Sequence, residues 1–201
     1  MDAILELWIP IVLATIAVFI ASSLLWMVSP HHKADVKAPP GGEKLERAVE
    51  DLGLEPGTYI FPYCADQKNM KDEAFRARWE HGPWGTITVF PAASKFGKNL
   101  AFTALVFFVI TLFVGYLTRQ AVEPGAEYLR VFQIAGTAAV LGHVFGGLPY
   151  AIFFGKPARF VITDLIDAII YAMITAGILA AMWPGAEAAL PEVDPSVIPG
   201  G

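Results

Sequence analysis

Four long apolar runs alternate with polar segments along the chain: about Leu7 to Val28, Leu100 to Leu117, Leu129 to Phe154 and Phe160 to Trp183. Each is close to or above the roughly 20 residues a helix needs to cross the hydrocarbon core. Lys and Arg stand only at their ends, with Lys98 and Arg119 around the second, Arg130 and Lys156 around the third, and Arg159 before the fourth. The pattern predicts an all-α membrane protein, a bundle of four transmembrane helices. The first run has no Lys or Arg before it and is longer than a signal-peptide core, so it reads as a retained helix. Residues 1–28 then hold helix 1, residues 29–98 a polar loop, residues 99–183 helices 2–4, and residues 184–201 a Pro-rich tail.

The polar loop is too long and too patterned for a bare connector. Pro39-Pro40-Gly41-Gly42 breaks the chain after helix 1. Leu45, Ala48, Val49 and Leu52 recur at helical spacing, which predicts a helix over Glu43–Leu52 that stops at Gly53. Thr58–Phe61 reads as a strand after the Pro56-Gly57 turn, Met70–Glu80 as a second helix, and Thr86–Phe90 as a second strand. The loop is thus expected to be a small α+β subdomain. A two-stranded sheet is marginal alone, so it should rest on the membrane surface or on a partner.

Composition agrees with the membrane class. Of 201 residues 55% are hydrophobic and only 16% charged, against roughly 25% charged in soluble domains. The net charge of −5, with no Lys/Arg block, argues against a nucleic-acid partner. The basic residues that do occur set the orientation. Lys33, Lys37, Lys95, Lys98, Lys156 and Arg159 flank the loop side, whereas only Arg119 and Arg130 flank the other. By the positive-inside rule the long loop is cytoplasmic and both termini lie outside. Trp8 and Trp183 should then mark the outer interface, and Trp26 the inner one.

Ionisable residues away from the span ends are costly in lipid and therefore informative. There are three. His143 lies midway between Arg130 and Lys156, and Asp164 and Asp167 lie in the fourth span. Thr163, Asp167, Tyr171 and Thr175 recur every four residues and so share one helix face. Tyr171 falls nearly level with His143, which predicts a hydrogen bond between them within a polar seam. Ordinary interhelical bonding accounts for such a seam. The sharper readings are a haem or chlorin metal on His143, or a small transporter using Asp164, Asp167 and His143. No cofactor is required by the sequence. Gly136, Gly142, Gly146 and Gly147 give the third span a small-residue surface for close helix packing, and Pro149 should bend it near its cytoplasmic end.

Outside the spans, His31, His32, Asp35, Cys64 and His81 match no zinc spacing, and adjacent histidines rarely share a metal from a regular helix. They are expected to be solvated. No nucleotide-binding, nucleophile-elbow or zinc-protease motif occurs, so no catalytic residues are expected.

Trp8-Ile9-Pro10-Ile11, Ser29-Pro30-His31-His32-Lys33-Ala34-Asp35, Pro56-Gly57-Thr58-Tyr59, Met70-Lys71-Asp72, Ala135-Gly136-Thr137-Ala138 and Asp167-Ala168-Ile169-Ile170-Tyr171 follow in an order that resembles a group of uncharacterised bacterial membrane proteins. The resemblance implies a bacterial inner-membrane protein and carries over no activity. The leading expectation is a non-catalytic accessory subunit that packs in the bilayer against other membrane proteins, such as those of a photosynthetic or respiratory complex.

Overall fold

The computed structural model describes residues 5–185. Four helical stretches in it are long and apolar enough to cross a membrane: Trp8–Val28, Phe96–Ala121, Tyr128–Phe153 and Ala158–Ala181. The first comprises α1 (Trp8–Ser23) and a π-turn over Leu24–Val28, closed where Ser29 N donates to the Leu24 carbonyl. Between the first and second spans lie α2 (Gly42–Asp51), β1 (Gly57–Phe61), α3 (Glu73–His81) and β2 (Gly85–Val89). The remaining spans are α4 (Phe96–Ala121), the pair α5 (Tyr128–His143) and α6 (Leu148–Phe153), and α7 (Ala158–Ala181).

Connections force neighbouring spans to run antiparallel. Helix α1 packs on α4 and α7, and α5 packs on the same two, so the four close into a ring. Ile16, Ile20, Phe113, Ile162, Ile166 and Met173 face outward and are exposed. In a soluble protein such residues would be buried; here they offer a lipid-facing surface. The apolar core sits toward the end away from the loop, built from Leu7, Ile11, Val114, Val131 and Leu179 with Ala135, Ala139, Ala172, Ala176 and Ala180. The small alanines let α5 and α7 approach closely.

That end is closed by backbone contacts. Gly125 N donates to the Pro184 carbonyl at 2.8 Å, and both Gly125 and Gly185 have positive φ. A side chain on Gly185 would stand 2.9 Å from Gly125 N, so glycine is required on two grounds. Trp8 is exposed, but Trp183 is buried and donates its indole N–H to the Glu123 carbonyl at 2.9 Å. Trp183 therefore packs into the bundle end against the α4–α5 connection instead of standing exposed in an outer aromatic belt.

Two predicted boundaries move. Met70–Asp72 does not belong to α3. Gln67–Lys71 forms a separate 3₁₀ turn, and Asp72 caps the N-terminus of α3 by accepting from Ala74 N at 3.3 Å. The third span breaks before Pro149, not at it. Helix α5 ends at His143, Val144–Gly147 form a turn, and α6 restarts with Pro149 in its first turn. Proline lacks an N–H but needs none at that position.

The two strands pair antiparallel, with Gly57 opposite Val89 and Phe61 opposite Gly85. No residue of α2, α3 or either strand is buried, so the subdomain has no core of its own.

Of the four glycines expected to pack helices, Gly142 makes the closest approach: a Cβ there would stand 2.9 Å from Ile110 of α4. Gly136 faces Ala176 at an ordinary 3.6 Å, whereas Gly147 has open space around it. Gly142→Leu should therefore lower the melting temperature of the purified protein, by overpacking worth about 1–3 kcal/mol. Adding Ile110→Ala to the same chain should restore part of the loss.

Candidate functional site

The π-turn ending the first span delivers the chain at Ser29 into a 3₁₀ turn over Pro30–His32. Ser29 accepts a bond from His31 N through its side chain, and proline opens the turn without needing a partner for an N–H. Unlike a regular helix, this turn aims two adjacent imidazoles at one target. His32 Nε2 lies 2.9 Å from Asp167 Oδ2, and His31 Nε2 lies 3.2 Å from Asp167 Oδ1. The His31 and His32 rings stand nearly perpendicular, with centroids 4.8 Å apart. Trp26 lies flat on His32 at 3.8 Å and fixes its plane. Single π-turns in helices are frequent at functional sites.

The other nitrogen of His32, Nδ1, lies 2.8 Å from Asp35 Oδ2. Asp35 is fully enclosed. The Thr163 hydroxyl donates to its Oδ2 at 2.7 Å, and Arg159 Nε lies 3.0 Å from its Oδ1. Arg159 also donates to the His31 carbonyl at 3.0 Å. Tyr171 donates its hydroxyl to Asp167 Oδ2 at 3.2 Å. A chain of polar contacts thus runs Arg159–Asp35–His32–Asp167–Tyr171, with Thr163 beside it and His31 as a branch. It ties the exit of the first span to about three turns of α7.

Electrostatics reinforce the arrangement. The Thr163 bond, opposed by burial and aided by His32 and Arg159, holds the Asp35 carboxyl below the usual carboxylate range. Burial works against the charged form of His32, but its bonds to Asp167 and Asp35 outweigh that and keep its pKa above the ordinary imidazole value. A buried carboxylate is tolerated when paired and hydrogen-bonded, and both carboxylates here meet that condition.

Next to this cluster a cavity of about 500 Å³ opens between the spans. Trp26, Phe107, His143, Asp164, Asp167 and Tyr171 line it, together with the turn glycines Gly146 and Gly147. His143 Nε2 is buried there without a hydrogen-bond partner among the described residues.

The structure thus places Thr163, Asp167, Tyr171 and Thr175 on the buried face of α7 and Asp164 on the cavity wall. The expected His143–Tyr171 hydrogen bond does not form. Their rings meet edge-on at 5.8 Å, and the Tyr171 hydroxyl turns to the stronger acceptor, Asp167. The hydroxyls of Thr15, Ser23 and Thr111 bond carbonyls one turn back in their own helices, and the Thr175 hydroxyl has no partner among the described residues. His32 is not solvated as expected but 5% exposed, and Asp35 is enclosed with it. Cys64 and His81 stay apart, bonded locally to Asp66 and Ala77 carbonyls. What sequence reasoning missed is that the His31-His32-x-x-Asp35 segment supplies the partners of Asp167. The available signal was an unpartnered carboxylate in one span and a histidine pair at the loop-side exit of another.

Three donor atoms, from His31, His32 and Asp167, lie within 4.8 Å of one another and could ligate one cation. No family model matches the chain, and no curated protein or solved structure matches it.

Removing Asp167 strands two imidazoles and the Tyr171 hydroxyl. Asp167→Ala should cost about 3 kcal/mol, as for other broken buried pairs, and Asp167→Asn clearly less, since it keeps a hydrogen-bonding group. Thermal denaturation of both variants in one detergent tests the order. Equal stability of Asp167→Ala and the parent chain would mean the network carries no load.

Proposed function

We propose that this protein binds a small ligand within the membrane, in the cavity beside the Asp167 cluster. One observation carries the reading: His143, Asp164 and Asp167, the three ionisable residues away from the span ends, all line a single cavity where the third span's helix is interrupted. Interrupted helices in membranes are tolerated where backbone is buried in protein or lines a cavity. The volume of about 500 Å³ falls within the range of small-molecule sites. Trp26, Phe107 and Tyr171 offer aromatic faces, and His143 Nε2 awaits a complementary polar group or metal centre on the ligand. A mainly apolar, ring-bearing molecule with one polar head suits that lining. The excess of Lys on the loop side, with the resemblance to bacterial multi-pass proteins, favours a bacterial cytoplasmic membrane with the loop inside. Ligand entry is then from the cytoplasmic half. Holding the ligand is the cofactor form of this reading, and passing it on is the transporter form; uptake into proteoliposomes separates them.

Native mass spectrometry of the protein purified in mild detergent should reveal a retained small molecule. Its occupancy should fall at least tenfold in His143→Ala and in Gly147→Phe, which fills the cavity from a position with open space around it. A parent chain that carries nothing, and whose stability no added small molecule raises, would sink the reading.

The accessory-subunit role is a second reading with its own support. The loop subdomain exposes Trp79, Trp84 and Phe90, and neither face of its sheet is buried. Large aromatic side chains left open on a coreless subdomain suit a protein partner. Mild purification should then recover a defined partner protein, and Trp79→Ser with Trp84→Ser should release it. A monomer unaffected by both changes counts against this role.

A further inference from the structure

We infer that His31, His32 and Asp167 form a binding site for one divalent transition-metal ion at the mouth of the bundle. The inference rests on the cluster alone and stands or falls separately from the ligand cavity. The first support is donor geometry. Ligand atoms bound about 2.0–2.2 Å from a common ion stand about 2.8–3.6 Å apart in octahedral or tetrahedral arrangements. The Asp167 oxygens lie 2.9 Å from His32 Nε2 and 3.2 Å from His31 Nε2, and the three donors span no more than 4.8 Å. The wider spread of the full set, up to 4.8 Å, means that an ion draws the donors together by about 1 Å.

The second support is the outer layer. A metal-binding histidine characteristically gives its other ring N–H to a carboxylate, which fixes the tautomer and aims the free lone pair. His32 does this: Nδ1 faces Asp35 at 2.8 Å, and Asp35 is itself held by Thr163 and Arg159. The stacked Trp26 ring removes the remaining rotational freedom. So much order around one imidazole exceeds what a simple pair with Asp167 needs.

The third support is an unmet valence. Asp167 has a side chain 4% exposed, yet its Oδ1 and the facing His31 Nε2 are buried without hydrogen-bond geometry between them. Two acceptor-capable atoms 3.2 Å apart in a buried cluster are what a bridging cation satisfies. The 3₁₀ turn removes the objection that neighbouring histidines diverge, since both rings reach the same carboxylate. Two imidazoles and one carboxylate favour zinc, ferrous iron or cobalt over magnesium or calcium. Three protein donors leave coordination positions free, and Asp167 and Trp26 also line the cavity, so such a position has room for water or a ligand.

The test uses the full chain in lipid nanodiscs, stripped with a chelator and titrated with Zn(II), Fe(II) and, as an optical probe, Co(II). One ion per chain is expected by equilibrium dialysis and elemental analysis, with Co(II) showing ligand-field bands. His31→Gln and Asp167→Asn should weaken binding more than 100-fold. Asp35→Asn should weaken it about 10- to 100-fold, as loss of an outer-layer partner does. His81→Ala, an exposed histidine remote from the cluster, should bind like the parent. X-ray absorption of the zinc-loaded parent should show outer-shell scattering with the amplitude of two imidazoles, which keeps the proposal testable if a variant fails to fold. Absence of stoichiometric binding by the parent, or a bound ion without imidazole scattering, overturns it. So does binding that survives both His31→Gln and Asp167→Asn. A metal-free result leaves the His143 and Gly147 measurements untouched, and failure of those leaves this titration untouched.

Discussion

The structure turns on a buried carboxylate in the last span and the imidazoles that reach it from 135 residues earlier in the chain. Asp167 sits where lipid and apolar side chains would otherwise surround it, and a lone charge there is not tolerated. The first span answers by ending in a π-turn and folding Pro30–His32 back over the bundle mouth. Everything on the loop side follows from that. Asp35 is drawn inward to balance His32, Arg159 to balance Asp35, and Trp26 is pinned against the imidazole.

This arrangement divides the bundle into two halves of different physics. Away from the loop, alanines and branched side chains pack closely, and Trp183 seals the end with a bond to a backbone carbonyl. Toward the loop, polar pairs replace apolar contact, and the broken third span leaves a cavity instead of a filled core. Apolar packing alone would not stop the spans sliding along one another, because lipid tails satisfy the same side chains. A directional network between the first and last spans supplies register there.

The cluster and the cavity share Asp167 but draw on different neighbours. On the cluster side the carboxylate meets two histidines; on the cavity side it meets Tyr171, which in turn lies edge-on to His143. A change in what the histidines hold therefore acts directly on a carboxylate of the cavity wall. This gives the proposed ligand site and the inferred metal site a direct route of communication, through side chains that already touch.

The sequence by itself determined four spans, their limits to within a few residues, the helix–strand order of the loop, and the polar face Thr163–Asp167–Tyr171–Thr175. All of these rest on local periodicity, where each residue's neighbours in space are its neighbours in the chain. It also singled out His143, Asp164 and Asp167, because an ionisable group in an apolar run is conspicuous wherever its partner lies. Only the tertiary structure decided the partners. Tyr171 could bond His143 by level alone, but a carboxylate one turn below it on the same helix is the better acceptor. His31 and His32 follow a span and precede a polar loop, so they read as solvated until a 3₁₀ turn carries them against α7. The break in the third span likewise came before its proline, at glycines facing a cavity that no periodicity encodes. Pairing between distant residues depends on the ring order of four helices and on how one chain end turns. Those are properties of the closed bundle, not of any window of its sequence.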